Sequence, residues 1–135
     1  MIGTWHPVMG HVEPGEAAPA TARRELREET GYLCGVEADH PMRVLGFWQL
    51  ELVNTYYLAS HECIVMSPGF AAQVAPASSP LLDASHDAHR WVRADRADLD
   101  FLWPGQRAAV AQILRDLATD SSPVRDRLAL PLTPG

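Results

Sequence analysis

The chain has 135 residues, of which 47% are hydrophobic and 21% charged, and its formal net charge is −6 at pH 7. This composition is globular rather than disordered and suits one domain with a core of useful size. The negative balance offers no overall basic field to a nucleic-acid polymer or an anionic membrane surface, and an acidic protein that handles polyphosphates needs a bound cation to offset the repulsion.

Residues 1–9 hold at most one strand or its end. They do not form a charged segment followed by an apolar core, and no apolar run in the chain approaches the ~18 residues of a membrane helix. The expected location is therefore cytoplasmic. Gly10, Pro14 and Gly15 are turn residues, so 10–15 reads as a loop. A helix is predicted from Ala17 to Thr30. Pro19 suits its first turn, Ala18, Ala20, Ala22, Leu26 and the Glu/Arg residues favour helix, and Gly31 is a natural stop. Cys34 and Cys63 lie far apart, match no Cys/His pattern, and read as ordinary buried thiols.

The middle of the chain is β-rich. Val44 to Leu50 and Leu52 to Ala59 carry Val, Phe, Trp and Tyr, and Cys63 to Met66 is a short apolar run. Gln73 to Pro80 reads as a loop, His89 to Arg93 as a short strand, and Asp95 to Asp100 as a short helical turn. A second helix is predicted over Gln106 to Ala118, where Ala109, Val110, Ile113, Leu114 and Leu117 share one stripe. Three prolines and little periodicity mark the end. A domain over 1–119 followed by a flexible tail over 120–135 is expected. Phe47, Trp48, Tyr56 and Trp103 could each stack on a base, with core packing as the preferred reading.

The first helix carries a charge pattern that local stability does not explain. At about 100° per residue, Glu25, Glu28 and Glu29 fall at relative angles of about 0°, −60° and +40°, on one face. Glu25 and Glu29 are a like-charge i,i+4 pair, which costs a bare helix roughly 0.2–0.5 kcal/mol. They also sit in its C-terminal half, where the macrodipole disfavours anions. A divalent cation reverses the sign, because carboxylate oxygens are hard ligands suited to Mg²⁺ or Mn²⁺. Arg24, i,i+4 from Glu28 and adjacent to Glu25, can orient a carboxylate. Arg23 and Arg27 look like an ordinary solvated face.

The spacing from Gly10 to Tyr32 resembles the Nudix hydrolase signature G-x5-E-x7-R-E-U-x-E-E-x-G-U, where U is a bulky apolar residue. Gly10, Glu16, Arg24, Glu25, Leu26, Glu28, Glu29 and Gly31 occupy its positions, and Tyr32 stands at the last U. The resemblance implies an α+β fold, the Nudix-type α/β/α sandwich with a mixed sheet. It implies hydrolysis of a nucleoside diphosphate linked to a second group X, with Mg²⁺ or Mn²⁺. Glu28 and Glu29 would then be metal ligands, Glu25 a ligand or a water-orienting base, and the Gly10 carbonyl a further ligand. Glu16 and Arg24 would tie loop to helix, Arg24 fixing Glu25.

Residues 86–92 and 101–110 look like the last strand and C-terminal helix of bacterial nucleoside-triphosphate and dihydroneopterin-triphosphate pyrophosphatases of that family. A nucleoside or pterin triphosphate, cleaved to release pyrophosphate, is the expected substrate. A dinucleoside polyphosphate, an ADP-sugar, or nucleotide binding without turnover are the alternatives. Many such relatives carry a glutamate immediately before the histidine of this segment, where this chain has Ser85; Asp83 and Asp87 are out of register. His86 and His89 read as loop and strand residues rather than ligands.

The resemblance also implies further strands ahead of Gly10, with Trp5 in the strand that leads into the loop. The expectation is a natural start upstream of Met1; a shortened variant or a sheet completed by a second copy are the alternatives. If the 135 residues are the whole protein, low stability and either a homodimer or loss of activity are expected, since an uncovered sheet edge invites pairing.

Overall fold

A computed structural model describes residues 4–97 and 100–133. The expectations that touch residues 1–3, 98–99 and 134–135 lie in part outside the described residues. Helix α1 runs Ala18–Thr30, strand β1 Val44–Leu58, strand β2 Cys63–Val74, helix α2 Pro104–Gln112 and a short helix α3 Arg125–Leu128. β1 and β2 form an antiparallel hairpin, closed by a 3₁₀ turn over Ala59–His61.

The α+β class stands. The sheet is a two-stranded antiparallel pair among the described residues, and parallel pairing is confined to isolated bridges, Trp5 with Phe101 and Leu33 with Arg43. Trp5 is therefore held by one isolated bridge and not within a strand, among the described residues. Register shifts lie between Val44 and Gly46 and between Gln49 and Val53. They account for the broken alternation that split this region into two runs in the sequence.

Adjacent residues of a strand face opposite sides, and Phe47 and Trp48 use this to seed two cores. Phe47, with Tyr32 and Val44, packs against Ala22 and Leu26 of α1 and against Phe70. Its ring stacks on Phe70 at 5.7 Å. Trp48 and Leu50 pack with Leu117, Leu128, Ala109 and Ile113 on the other side. The hairpin is thereby held between α1 and the C-terminal helices, a reduced form of the expected sandwich. Both aromatics are core residues, 2% and 8% exposed, whereas Tyr56 and Trp103 are exposed.

Four local expectations need correction. Residues 89–93 are not a strand; they run as irregular chain. The second helix starts two residues earlier, at Pro104, and changes to a π-helical turn over Ile113–Leu117, with the Ala118 N–H donating to the Ile113 carbonyl. Cys63 is exposed rather than buried. Residues 120–133 are not a loose tail. Leu128 is buried, Ala129 bridges to Trp48, and the Leu130 N–H donates to the Phe47 carbonyl at 2.8 Å. This segment lies along the edge of β1 that β2 leaves open, so it satisfies backbone groups there. Leu130 and Leu132 join the core around Phe47.

Arg23 also departs from the solvated-face reading. Its guanidinium lies 4.8 Å from the Phe47 ring centroid and donates to the Pro131 carbonyl at 2.5 Å. Arg27 does lie at the surface, beside Glu28.

Candidate functional site

The site begins in the turn before α1. Gly15 takes φ 80°, a left-handed conformation that glycine adopts without strain, and the Glu16 N–H donates to the Glu13 carbonyl at 2.9 Å. Glu16 Oε2 accepts from Thr21 Oγ1 at 2.7 Å and from the Glu13 N–H at 3.2 Å. One turn further along α1, Arg24 meets the same carboxylate with a two-pronged contact, Nε to Oε1 and Nη2 to Oε2, each 3.0 Å. This planar fork is the strong form of a charge-assisted hydrogen bond. Arg24 and Thr21 hold the Glu16 carboxyl down to a pKa of about 2, Arg24 contributing most.

Arg24 then spends its remaining donors on the helix and the loop. Nη1 donates to Glu25 Oε1 at 2.6 Å and to Glu28 Oε2 at 3.2 Å, and Nη2 donates to the His11 carbonyl at 3.0 Å. Hydrogen bonds to Glu16 and Glu25 raise the pKa of Arg24 beyond its ordinary range. One half-buried guanidinium therefore fixes the loop carboxylate, two helix carboxylates and a loop carbonyl. Gly10 closes the ring. A Cβ at this position would collide with the Glu25 carboxylate, so the backbone comes close to that group only because the residue is glycine.

Glu29 stands apart from this cluster. Its Oε2 accepts from the Met9 N–H at 3.3 Å and faces His86 Nε2 at 3.7 Å. Its side chain is 13% exposed against 48% for Glu28. Burial pushes the Glu29 carboxyl above its ordinary pKa, opposed by His86 and the Met9 N–H. Its carboxylate lines a cleft of about 210 Å³ with Trp5, Val8, His86, Arg90 and Phe101. Arg90 covers the Trp5 ring at 4.6 Å and pairs with Asp100 at 2.6 Å.

The structure thus gathers Gly10, Glu16, Arg24, Glu25 and Glu28 around one guanidinium and sets Glu29 beside them on the cleft. Among the described residues, no three His, Cys, Asp or Glu side chains converge tightly enough to enclose a metal ion. The donor set nevertheless fits a hard divalent cation. Glu25, Glu28 and Glu29 follow one another along α1, glycine backbone lies against the Glu25 carboxylate, and burial holds the Glu29 carboxyl above its ordinary pKa.

His86 is the residue that sequence reasoning set aside. The Leu81 N–H donates to the Thr30 carbonyl at 2.8 Å, which docks the loop after Pro80 onto the end of α1. Gly31, at φ 76°, terminates α1 and leaves room for Leu81, whose Cβ would lie 3.2 Å from a Cβ at that position. Within the docked loop, Ser85 donates to Asp83 Oδ1 from both N–H, at 3.1 Å, and Oγ, at 2.7 Å. His86 Nδ1 lies 2.8 Å from Asp83 Oδ1 and 2.9 Å from Ser85 Oγ. Asp83 is held below its ordinary pKa, chiefly by its hydrogen bond with His86 and then by Ser85. The available signal was the D-x-S-H spacing, a side-chain-closed turn. His89 and Asp87 are exposed.

The family model of the NUDIX domain matches residues 2–113. The chain is 31% identical over 104 residues to a bis(5'-nucleosyl)-tetraphosphatase (asymmetrical) from Sus scrofa, covering 71% of this chain and 60% of that protein. It is 35% identical over 92 residues to an octanoyltransferase from Myxococcus xanthus, covering 67% of this chain and 23% of that protein. The chain therefore spans less than two thirds of the length of either relative.

Proposed function

The chain belongs to the NUDIX domain family, and from that premise we propose that it is a divalent-cation-dependent hydrolase of the phosphoanhydride bond in a nucleoside diphosphate linked to a second group. The observation that carries this reading is the Arg24 hub. It holds Glu16, Glu25 and Glu28 together while Glu29 faces the cleft. Glu25, Glu28 and Glu29, with the Gly10 carbonyl, would hold Mg²⁺ or Mn²⁺. Bound there, the cation supplies charge neutralisation for the polyphosphate, polarisation of the P–O bond and a lowered pKa for the attacking water.

The protein's own residues do the rest. Arg24 grips Glu25 through Oε1 and so sets the plane of a carboxylate that can orient that water and accept its proton. Glu16 keeps Arg24 from swinging away, because its two oxygens engage two nitrogens of the guanidinium at once. Trp5, Val8 and Phe101 line the cleft beside Glu29 and give it an apolar wall.

A nucleoside triphosphate or dihydroneopterin triphosphate, cleaved to release pyrophosphate, is the first substrate class. A dinucleoside polyphosphate is the second, favoured by the name of the Sus scrofa relative. The test is product analysis by chromatography, with GTP, dihydroneopterin triphosphate, diadenosine tetraphosphate and ADP-ribose as probes in Mg²⁺ or Mn²⁺. Wild type is compared with Glu29→Gln. The expected result is turnover of one class and a loss of about 100-fold or more in the variant. Equal rates overturn the assigned site. Tight nucleotide binding without turnover assigns the chain to binding rather than catalysis.

A further inference from the structure

The cleft beside Glu29 is assembled from separate pieces of chain that are tied to one another. Trp5 and Phe101 are joined by an isolated parallel bridge. The Leu81 N–H donates to the Thr30 carbonyl and holds the loop after Pro80 to the end of α1. The Met9 N–H donates to Glu29 and holds the segment before the Gly10 loop to the same end. The volume of about 210 Å³ is below the roughly 300–1,000 Å³ of a pocket that takes a whole drug-sized ligand. It suits one ring system of a nucleotide rather than the entire molecule.

Within the cleft, Arg90 is held on two sides. Its guanidinium lies over the Trp5 ring, 4.6 Å from the centroid, and its Nη2 pairs with Asp100 Oδ2 at 2.6 Å. All three residues line the cleft. A guanidinium is a rigid plane that stacks on aromatic faces, which a lysine ammonium is not. The Arg90 side chain is still 45% exposed, which leaves surface away from the indole free to receive a second ring. Asp100 fixes the plane before a ligand arrives and offsets its charge. Apart from three imidazoles, the described lining residues carry one cation, Arg90, against the carboxylates of Glu29 and Asp100. That balance does not select a phosphate. Much of the remaining wall is apolar, with Val8, Leu82, Val92 and Phe101. A flat heteroaromatic ring suits such a wall, because bases stack on arginine planes and pack against apolar side chains.

We propose that the cleft is the ring-binding subsite of the substrate, in which the heteroaromatic base of a nucleoside or pterin phosphate stacks on the Arg90 guanidinium. Trp5 and Asp100 are the positioning residues that hold that plane. This rests on the reading above that a cation on the α1 carboxylates holds the phosphates, since Glu29 belongs to both the cation site and the cleft. Arg90 then selects the substrate and takes no part in hydrolysis.

The test uses the full chain in two measurements. The first is steady-state turnover of the best substrate of the panel in Mg²⁺, with tripolyphosphate, which has phosphates but no ring, as competitive inhibitor. Arg90→Ala and Arg90→Lys are expected to raise KM about 10-fold or more, the order of one lost base stack, while kcat stays within about 2-fold of wild type. The inhibition constant of tripolyphosphate is expected to match wild type in both. The second is saturation-transfer NMR with guanosine, adenosine and neopterin, which carry the ring but no phosphate, with no metal present. Wild type is expected to give ring-proton signals with at least one of them, and both Arg90 variants to lose those signals.

Wild-type KM in both variants overturns the subsite, as does an absence of ring signals with the wild type. A matching rise in the tripolyphosphate inhibition constant places Arg90 on the phosphates and also overturns it. Glu29→Gln reports on the parent reading. If it loses turnover while the Arg90 variants behave as wild type, the cation site stands and the ring subsite falls. If the wild type turns over no substrate yet gives ring signals that both Arg90 variants abolish, the subsite stands and the hydrolase reading falls. If Arg90→Ala fails to fold, as read by circular dichroism, Arg90→Lys and Asp100→Asn decide the matter, because the first removes the plane and the second loosens it.

Discussion

Arg24 is the residue on which the site turns. Four of its five hydrogen bonds lie at 3.0 Å or less, the fifth reaches Glu28 at 3.2 Å, and together they span the loop and two turns of helix. Lysine keeps the charge but loses the planar fork that engages both oxygens of Glu16. Arg24→Lys is therefore expected to reduce kcat by at least about 10-fold, the order of one misplaced catalytic carboxylate. A steady-state assay on the best panel substrate checks this, and wild-type kcat in the variant contradicts it. Glu29 shows the opposite relation between stability and function. Its burial raises its pKa, so ionising it at neutral pH costs folding free energy. Without added cation, Glu29→Gln is expected to melt at or above the wild-type temperature at pH 7. Addition of Mn²⁺ should then raise the wild-type melting temperature and leave the variant unmoved. A clearly lower melting temperature for the variant without cation contradicts that account.

At the scale of elements, α1 was legible in sequence because its information is local. Alanine content, Pro19 near the start, Gly31 at the stop and the spacing of Glu16, Arg24, Glu25, Glu28 and Glu29 are all read within one helix and its leading loop, and the helix observed starts one residue later than expected. What failed was non-local. The Leu81 N–H to Thr30 carbonyl contact that brings His86 to Glu29 leaves no periodic trace. The closing segment did leave one. Leu128, Leu130 and Leu132 alternate at strand period, and the prolines around them hid it. Because Leu128 is buried beside Trp48 and Leu50, Leu128→Ala is expected to cost about 2–5 kcal/mol in urea unfolding. A loose tail would show no change.

The Glu16–Arg24 fork gives the loop-to-helix join a pH signature. Glu16 has a folded pKa of about 2, below its ordinary value of 4.5. Its contribution is therefore fully present above about pH 4.5 and fades as the pH falls toward 2. Wild type should exceed Glu16→Gln in melting temperature at pH 6, and the gap should close as the pH approaches 2. A gap that is constant with pH, or that widens in acid, contradicts the fork as the source.

For the whole molecule, a net charge of −6 and a carboxylate-rich helix face are hard to reconcile with handling phosphates unless cation and fold are linked. The two cores on either side of the β1–β2 hairpin put α1 on one face and the C-terminal helices on the other, with Glu29 at the end of α1 lining the cleft. The α+β class was readable from sequence, as was the helix that follows the loop from Gly10. The length of the hairpin was not, because register shifts depend on partners distant in the chain. The most direct measurement is calorimetric titration of Mn²⁺ into the wild-type chain and into the double variant Glu25→Gln/Glu29→Gln. The account predicts saturable uptake by the wild type and loss of that uptake in the double variant. No uptake by the wild type, or equal uptake by both, contradicts it.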